Sequence, residues 1–195
     1  MPRPKIDIDA KRRELLDSAE QLIDRHGTSK VTMQDISAAC GMSQSNIYRF
    51  FSNKEELLAG LADRWFEEVE SELTAVMGTE GTAGEILERF IRTQFEMKRD
   101  RYDENPELFI KYLSLAMMNP ESVERHVRKL RSWLQRLVKN CLVERKVSRR
   151  LVGLIEDMTI KFRDPHLISA HRAECTDARL DAVLQAVHAV LSDQE

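Results

Sequence analysis

Residues 32–57 read TMQDISAACGMSQSNIYRFFSNKEEL, and this stretch predicts short helices separated by a tight turn. Thr32, followed three residues later by Asp35, fits the capping box that opens a helix. The helix is interrupted at Gly41, because glycine readily adopts the positive φ that a turn between helices requires. The stretch therefore begins with one short capped helix and a glycine-centred turn.

A second short helix is predicted after this turn. Ser43 is a suitable N-cap for a helix from Gln44 to about Phe50. Ser52 and Glu55 then fit a second capping box, which opens a longer amphipathic helix. Two short helices between longer ones are typical of a helix-turn-helix, although a plain helical hairpin gives the same pattern.

The rest of the chain is also helical in pattern. An amphipathic helix with apolar residues from Leu15 to Ile23 precedes the quoted stretch and ends at Gly27. Residues 78–84 hold three of the seven glycines and form the clearest linker. Later helices are predicted to begin near residue 83, after Asn105, Asn119 and Asp164, and to cover about 148–162 and 177–191. We predict an all-α protein of about nine helices.

Composition limits the class of protein. The 195 residues are 42% hydrophobic and 32% charged, which is enough for one or two domains with a real core. Three scattered cysteines suit a reducing cytoplasm better than a disulfide framework. The sequence contains no apolar run long enough to span a bilayer, and its first residues lack a secretory signal. We therefore expect a cytoplasmic protein with no membrane partner.

The second short helix is unusually polar for a structural element. Ile47 and Phe51 are the apolar residues that dock it inward. Its polar residues are Gln44, Ser45, Asn46, Tyr48 and Arg49. Such groups can read base edges in the major groove of DNA, where each base pair presents a distinct pattern of donors and acceptors. The net charge of −3 does not favour nucleic acid, but residues 28–54 carry three basic side chains against one acidic one.

The spacing of this region is similar to that of a known family. The matching positions are Thr32, Asp35, Ile36, Gly41, Ser43, Ile47, Tyr48, Phe51, Lys54, Glu55 and Leu57, in register and without gaps. On these residues the chain resembles the tetracycline-repressor (TetR/AcrR) family of transcriptional regulators, over roughly residues 10 to 60. The resemblance implies a DNA-binding head, residues 1–57, and a helical effector-binding and dimerisation domain, residues 58–195.

The resemblance also implies roles for single residues. Thr32, Asn46, Tyr48 and Lys54 would contact phosphates, Gln34 would lie near the groove edge, and Gln44, Ser45 and Arg49 would contact bases. Independently, glutamine pairs well with adenine and arginine with guanine. The chain departs from the family at Ser45, where glycine is common, and at Arg49 and Phe50, where an aromatic residue or histidine is common. These departures leave the preferred operator sequence open.

The implied function is a repressor released from a palindromic operator by a small molecule. One short helix reads too few base pairs to be specific, which predicts a homodimer with two helices about 34–36 Å apart. The predicted effector pocket is lined by Phe90, Phe95, Phe109, Tyr112, Met117 and Trp133. The predicted dimer faces are Val152, Ile155, Met158 and Thr159 on one helix, with Leu180, Val183, Leu184, Val187 and Leu191 on the other.

Two other classes of function remain open. One is a DNA-binding protein that organises DNA or recruits another protein without an effector. The other is a helical enzyme or carrier with a vestigial head, but the sequence offers no nucleophile–base pair, paired carboxylates or phosphate loop. We therefore expect no enzyme activity, no cofactor and no metal. His166, His171 and Cys175 are metal-ligand types without a supporting motif, so any role beyond packing is open.

Charge is unevenly distributed over the second domain. Residues 120–150 hold ten basic and three acidic side chains, whereas residues 63–104 hold twelve acidic and six basic ones. We interpret them as solvated helix faces that partly pair with each other. An anionic effector drawn to the basic helix, or a second nucleic-acid surface, is the alternative.

Overall fold

The computed structural model describes residues 7–142 and 149–192, and all regular elements in these ranges are helices. They are α1 Ile8–His26, α2 Met33–Ala39, α3 Gln44–Ile47, α4 Lys54–Met77, α5 Ala83–Glu104, α6 Pro106–Met117, α7 Pro120–Cys141, α8 Arg149–Arg163, α9 Pro165–Ala170 and α10 Asp177–Ser192, with a 3-10 turn at Arg172–Glu174. The all-α prediction is confirmed. The described ranges contain ten α-helices, one more than the predicted total of about nine, and the helix predicted after Asp164 is the six-residue α9.

Several helix ends lie where side-chain chemistry predicts them. Gly27, at φ 81°, ends α1 and donates its N–H to the carbonyl of Ile23 at 2.8 Å. Thr32 and Asp35 form the predicted capping box of α2. Gly41, at φ 61°, makes the turn between α2 and α3. These local interactions therefore determine where α1 ends, where α2 begins and where the chain turns toward α3.

The helix α3 is shorter than predicted. It ends at Ile47, and the chain continues to Phe50 in a tighter turn, in which the N–H of Phe50 donates to the carbonyl of Ile47 at 2.9 Å. Ser43 occupies the N-cap position, but its side chain makes no capping hydrogen bond. Its hydroxyl instead lies 3.2 Å from that of Ser45. The turn brings Phe50 and Phe51, which are both buried, into the core.

The cap of α4 lies one residue later than predicted. Asn53, not Ser52, accepts the N–H of the residue three positions on, with 2.7 Å between its Oδ1 and the nitrogen of Glu56. Glu56, not Glu55, reaches back and accepts the N–H and hydroxyl of Ser52. The predicted pairing of Ser52 with Glu55 is therefore wrong. Asparagine competes well with serine as an N-cap, and sequence spacing alone does not choose between them.

The chain divides into two compact units, one ending at Trp65 and the other beginning at Phe66, so that α4 contributes to both. The predicted boundary at residues 57 and 58 falls in the same helix. The core of the first unit contains the fully buried side chains Leu15, Ala19, Ile36, Ile47, Phe51, Leu57 and Ala62. Within the described residues, no helix is long and apolar enough to cross a membrane.

The second unit is built around α5, which packs against α6, α7, α8, α9 and α10. Its buried stripe contains Leu87, Phe90, Ile91, Gln94, Phe95 and Lys98. Phe95 meets Phe162 of α8 edge to face, with ring centroids 5.4 Å apart. The central helix of this unit therefore carries both aromatic and polar side chains into the interior.

The predicted dimer faces are mostly occupied within the chain itself. The buried members are Val152, Ile155, Thr159, Leu180, Leu184 and Val187. They are buried because α8 and α10 pack against each other and against α5. Met158, Val183 and Leu191 are half-buried. Six of the nine predicted residues are therefore covered within their own unit, as is common for the apolar stripe of an amphipathic helix. That α8 and α10 form the dimer interface stays a prediction.

The observed α4 cap predicts which substitutions destabilise the protein. Asn53→Ala should lower the free energy of unfolding by about 1 kcal/mol, because one helix-terminal N–H loses its acceptor. Glu56→Gln should also lower it, whereas Glu55→Gln should change it by less than about 0.5 kcal/mol. Urea unfolding followed by circular dichroism measures all three variants.

The same cap predicts a dependence on pH. The hydroxyl and N–H of Ser52 hold the pKa of Glu56 below its ordinary value. The stabilisation that Glu56 provides is therefore fully present above the pKa of its carboxyl in the unfolded state. It is lost as the pH falls through the lower pKa of the folded state. The difference between wild type and Glu56→Gln should shrink in acid. Equal losses of stability in Glu55→Gln and Glu56→Gln would contradict the observed cap.

Candidate nucleic-acid interface

The helix α3 is held by apolar residues that it directs inward. Ile47 and Phe51 are fully buried, as predicted, and Phe50 is 7% exposed. A helix of four residues has no stability of its own, so its position depends on this packing. Its inward side is therefore fixed by the core of the first unit.

A cation that sequence reasoning did not single out reinforces this packing. The guanidinium of Arg12 in α1 lies 4.2 Å from the ring centroid of Phe51, and its Nη1 donates to the carbonyl of Phe50. The same group lies 3.8 Å from a carboxylate oxygen of Glu56. Arg12 thus connects α1, the end of α3 and the start of α4. No local pattern predicts a contact 38 residues away along the chain.

The predicted base-contacting residues lie on the surface. Gln44, Ser45 and Arg49 are all exposed, and Asn46 is half-buried. Arg49 donates from Nη1 to Oδ1 of Asn46 at 3.4 Å, a contact long enough to be exchanged for a better acceptor. The outward side of α3 and its following turn therefore presents amide, hydroxyl and guanidinium groups together.

The predicted phosphate-contacting residues have different environments. Tyr48 is 46% exposed, so its ring is not packed away. The hydroxyl of Thr32 serves the cap of α2, donating to Asp35 Oδ2 at 2.6 Å, and this bond lowers the pKa of Asp35. Gln34 in the first turn of α2 is exposed. Lys54 donates from Nζ to the carbonyl of Thr28 at 2.6 Å, which ties the start of α4 to the loop before α2.

Other cations of the first unit differ in availability. Arg64 pairs with Asp17 and Glu20, so its charge is largely neutralised inside the unit. Lys30 and Arg49 are exposed. Arg3 and Lys5, two further basic residues at the start of the sequence, lie outside the described residues.

The predicted effector-pocket residues are only partly brought together. Phe90, Phe95, Phe109 and Tyr112 are buried in the second unit. Trp133 is half-buried, with Lys129 Nζ 5.2 Å from its ring centroid. Met117 is 64% exposed and lies on the surface, because α6 ends there. Met117 therefore does not share the interior environment of the other residues.

The three residues of metal-ligand type lie in different environments. Cys175 is fully buried and its thiol faces the carbonyl of Lys161 at 3.8 Å, whereas His166 and His171 are exposed. The helix ends at Ala170, so His171 and Cys175 do not share a helical face. In the part of the chain that the structure describes, no three histidine, cysteine or acidic side chains are grouped to hold a metal.

The basic face of α7 is partly neutralised by acidic neighbours. Lys129 pairs with Glu70 at 2.5 Å, and Arg131 pairs with Glu156 at 2.8 Å. The Lys129–Glu70 pair supports the interpretation that the two segments partly pair with each other, whereas Glu156 lies outside the acidic segment 63–104. Arg145 and Lys146 of the predicted basic segment lie outside the described ranges, as does the side chain of Arg149.

Comparison with known proteins agrees with this geometry. The family model of "Bacterial regulatory proteins, tetR family" matches residues 15–61, and that of "Tetracyclin repressor-like, C-terminal domain" matches residues 83–184. The HTH-type transcriptional regulator BetI of Rhizobium meliloti (strain 1021) is 30% identical over 93 residues, 47% of this chain and 46% of that protein. The chain thus spans about half the length of the curated relatives it matches.

Solved structures share the fold over most of the chain. A TetR/AcrR-family transcriptional regulator from Thermobifida fusca YX-ER1 superimposes with a TM-score of 0.65 at 16% identity, covering 93% of this chain and 96% of that one. The regulator FadR from Bacillus subtilis, in complex with stearoyl-CoA, gives a TM-score of 0.60 at 19% identity, covering 90% and 96%. With both of its regions matched by models of one family, the chain belongs to the TetR family of bacterial regulatory proteins.

Proposed function

We propose that this protein is a homodimeric transcriptional repressor that binds a palindromic DNA operator and is released by a small-molecule effector. Its proposed location is the cytoplasm, where bacterial DNA is found. The observation that carries the proposal is the exposed polar side of α3, presented on the buried anchors Ile47 and Phe51. A helix so short gains nothing structural from displaying several hydrogen-bonding groups, whereas the major groove requires them.

The proposed readout divides the exposed residues by chemistry. The amide of Gln44 pairs with adenine, the guanidinium of Arg49 pairs with guanine, and Ser45 adds a hydroxyl. Thr32, Asn46, Tyr48 and Lys54 hold phosphates, and Gln34 approaches the groove edge. Phosphate contacts position the head on DNA, and base contacts choose the sequence.

Dimerisation is proposed through the outward faces of α8 and α10. Once their apolar stripes are buried, α8 still exposes Leu154 and Ile160, each 44% accessible. The outward side of α10 carries the exposed small residues Ala178, Ala182, Ala186 and Ala189. Small side chains allow two helices to approach closely, and the exposed apolar groups supply area to bury. Two recognition helices on one palindrome then follow from two-fold symmetry.

Effector control is proposed for the second unit. Phe90, Phe95 and Phe109 provide an apolar interior of the kind that encloses small molecules. FadR from Bacillus subtilis, which shares this fold, is seen with stearoyl-CoA. An effector releases the operator only to the extent that it prefers the conformation that does not bind DNA.

Selection of bound duplexes from a random pool tests the readout. Wild type should recover a palindrome, and Gln44→Ala and Arg49→Ala should each blur matching positions in both half-sites. Removing one base-reading side chain should reduce discrimination by about 1–3 kcal/mol, or roughly 5- to 150-fold. Arg25→Ala removes an exposed α1 arginine with no proposed contact and serves as the matched control. If no motif is enriched, and binding is weak and equally salt-sensitive in all proteins, the specific-regulator proposal is wrong.

The dependence of DNA binding on salt tests the role of Lys54. Lys54→Met should weaken operator binding and reduce the slope of log K against log salt by about 0.9 for each phosphate that is no longer neutralised, hence about 2 for a dimer. A titration by fluorescence anisotropy at several salt concentrations measures this slope. An unchanged slope with a lower Tm would instead assign Lys54 only to its hydrogen bond with Thr28.

A charged side chain on α10 tests the dimer face. Ala182→Arg should convert the dimer to a monomer in analytical ultracentrifugation and abolish tight operator binding, because it places two cations in one symmetric contact. Its helix content should stay unchanged, since Ala182 is exposed. Gln135→Arg, an exposed position on α7, is the control. A fully dimeric Ala182→Arg protein would place the interface elsewhere.

A further inference from the structure

The second unit contains a lysine where a buried apolar residue is expected. Lys98 follows Gln94 and Phe95 on the inward stripe of α5 and is only 5% exposed. Lysine is almost never buried to this extent unless it is paired with an anion. The position therefore requires an account of where its ammonium group finds a partner.

Among residues 7–142 and 149–192, Lys98 forms no hydrogen bond or ion pair. The charged groups that influence it are Arg163 and Asp164 at the end of α8 and His126 on α7. Burial and the repulsion of Arg163, opposed by Asp164, lower the pKa of Lys98 to about 7. Much of the lysine is therefore uncharged at neutral pH when the site holds no anion.

The nearby carboxylates are committed to other groups. Asp164 caps α9, where its Oδ1 accepts the N–H groups of His166 at 2.8 Å and Leu167 at 3.0 Å. Glu70 accepts from Lys129 and lies 2.8 Å from Nδ1 of His126. Burial also lowers the pKa of His126, although its contact with Glu70 opposes this shift. Asp164 attracts the Lys98 ammonium, but no carboxylate of the described residues forms an ion pair with it.

Arg163 is a second cation whose charge acts on Lys98, and it forms no ion pair among the described residues. Arg163 donates from Nε to the hydroxyl of the buried Thr159 at 2.9 Å, and from Nη2 to the carbonyl of Glu156 at 3.4 Å. Burial lowers the pKa of Arg163, and the charges of Glu156 and Asp164 oppose this shift. Two cations thus share one partly enclosed region, in which each repels the other. An anion between them would remove this repulsion.

The surroundings of the two cations are aromatic. Phe95 precedes Lys98 by one helical turn, and Phe162 meets Phe95 edge to face at 5.4 Å and adjoins Arg163 in the chain. Both rings are buried. A bound molecule would therefore place its charged group against cations and the remainder of its surface against apolar rings.

A purely structural role does not explain this arrangement. Methionine has nearly the same length as lysine and would fill the same space without the cost of removing an ammonium group from water. A buried polar group left without a partner is destabilising, and such groups persist in proteins mainly where a ligand or a reaction uses them. Binding of an anion would offset the free-energy cost of removing the Lys98 ammonium group from water.

We propose that Lys98, together with Arg163, binds the carboxylate of a small acid whose remaining surface is apolar, inside the second unit. This inference rests on the proposed function, because it names the chemical class of the effector. It differs from the attraction of an anion to the exposed basic face of α7, whose Lys129 and Arg131 are already paired. The site contains the buried Lys98 and the half-buried Arg163, neither of which forms an ion pair among the described residues.

The test compares acids and alcohols that share a hydrocarbon part. Octanoate and phenylacetate are titrated by calorimetry against 1-octanol and 2-phenylethanol, with wild type, Lys98→Met, Lys98→Arg and Lys139→Met. Lys139 is exposed on α7 and is the matched control. Wild type and Lys139→Met should bind at least one acid more tightly than its alcohol. Lys98→Met should lose about tenfold or more in acid affinity while keeping its affinity for the alcohol and an equal or higher Tm.

Proton uptake distinguishes a direct contact from a general effect. At pH 8 most Lys98 side chains lack a proton, so acid binding to wild type should take up a proton, seen by comparing buffers of different ionisation enthalpy. Lys98→Arg should still bind the acid but take up no proton, because arginine is already charged. His126 is neutral at this pH, and Arg163 stays charged, so neither supplies this signal.

The possible results separate the inference from the proposed function. Equal acid affinity in wild type and Lys98→Met, or no acid binding to wild type, would overturn the inference. Operator binding is measured in the same samples. If an alcohol alone releases the operator, effector control stands and the anionic site is wrong. If an acid binds through Lys98 without changing operator affinity, the site stands and the proposed effector control is wrong.

Discussion

The burial of Phe51 beneath the guanidinium of Arg12 is the interaction on which the first unit depends. A four-residue helix such as α3 is not stable in isolation, because the conformational entropy lost on nucleating a helix exceeds the free energy gained from one turn of hydrogen bonds. Its geometry must therefore come from tertiary contacts at Ile47, Phe50 and Phe51. Because these contacts occupy the inward side of α3 and its following turn, the outward side can carry polar groups that serve a binding partner and do not contribute to stability.

The sequence predicted those features that depend on residue type over a few positions. Thr32, Asp35, Gly27 and Gly41 act through neighbouring backbone groups, so their roles follow directly from spacing. The predicted cap of α4 was wrong by one residue, because Ser52 and Asn53 are both good caps and their spacing does not choose between them. The apolar stripes of α8 and α10 do not by themselves identify a dimer face, because such a stripe shows that a helix is buried, not which chain buries it.

Arg12 and Lys98 show where sequence reasoning ends. The partners of Arg12 lie on a distant part of the chain, and nothing near residue 12 indicates them. Lys98 did leave a signal, since it continues the stripe formed by Leu87, Ile91 and Gln94 at helical spacing. Lysine on an apolar stripe usually extends its ammonium group to water, so only the structure shows that this one stays inside.

A buried cation that forms no ion pair also affects how strongly a ligand can stabilise one conformation of a protein. A molecule stabilises the state to which it binds by an amount that grows with the logarithm of its concentration above its Kd. Where Lys98 and Arg163 lack an anion, their desolvation and mutual repulsion reduce the stability of the unit. A carboxylate recovers that cost only in conformations that keep both cations close together. The same residues that weaken the ligand-free unit therefore give an acid a preference among conformations, which is the property that effector control requires.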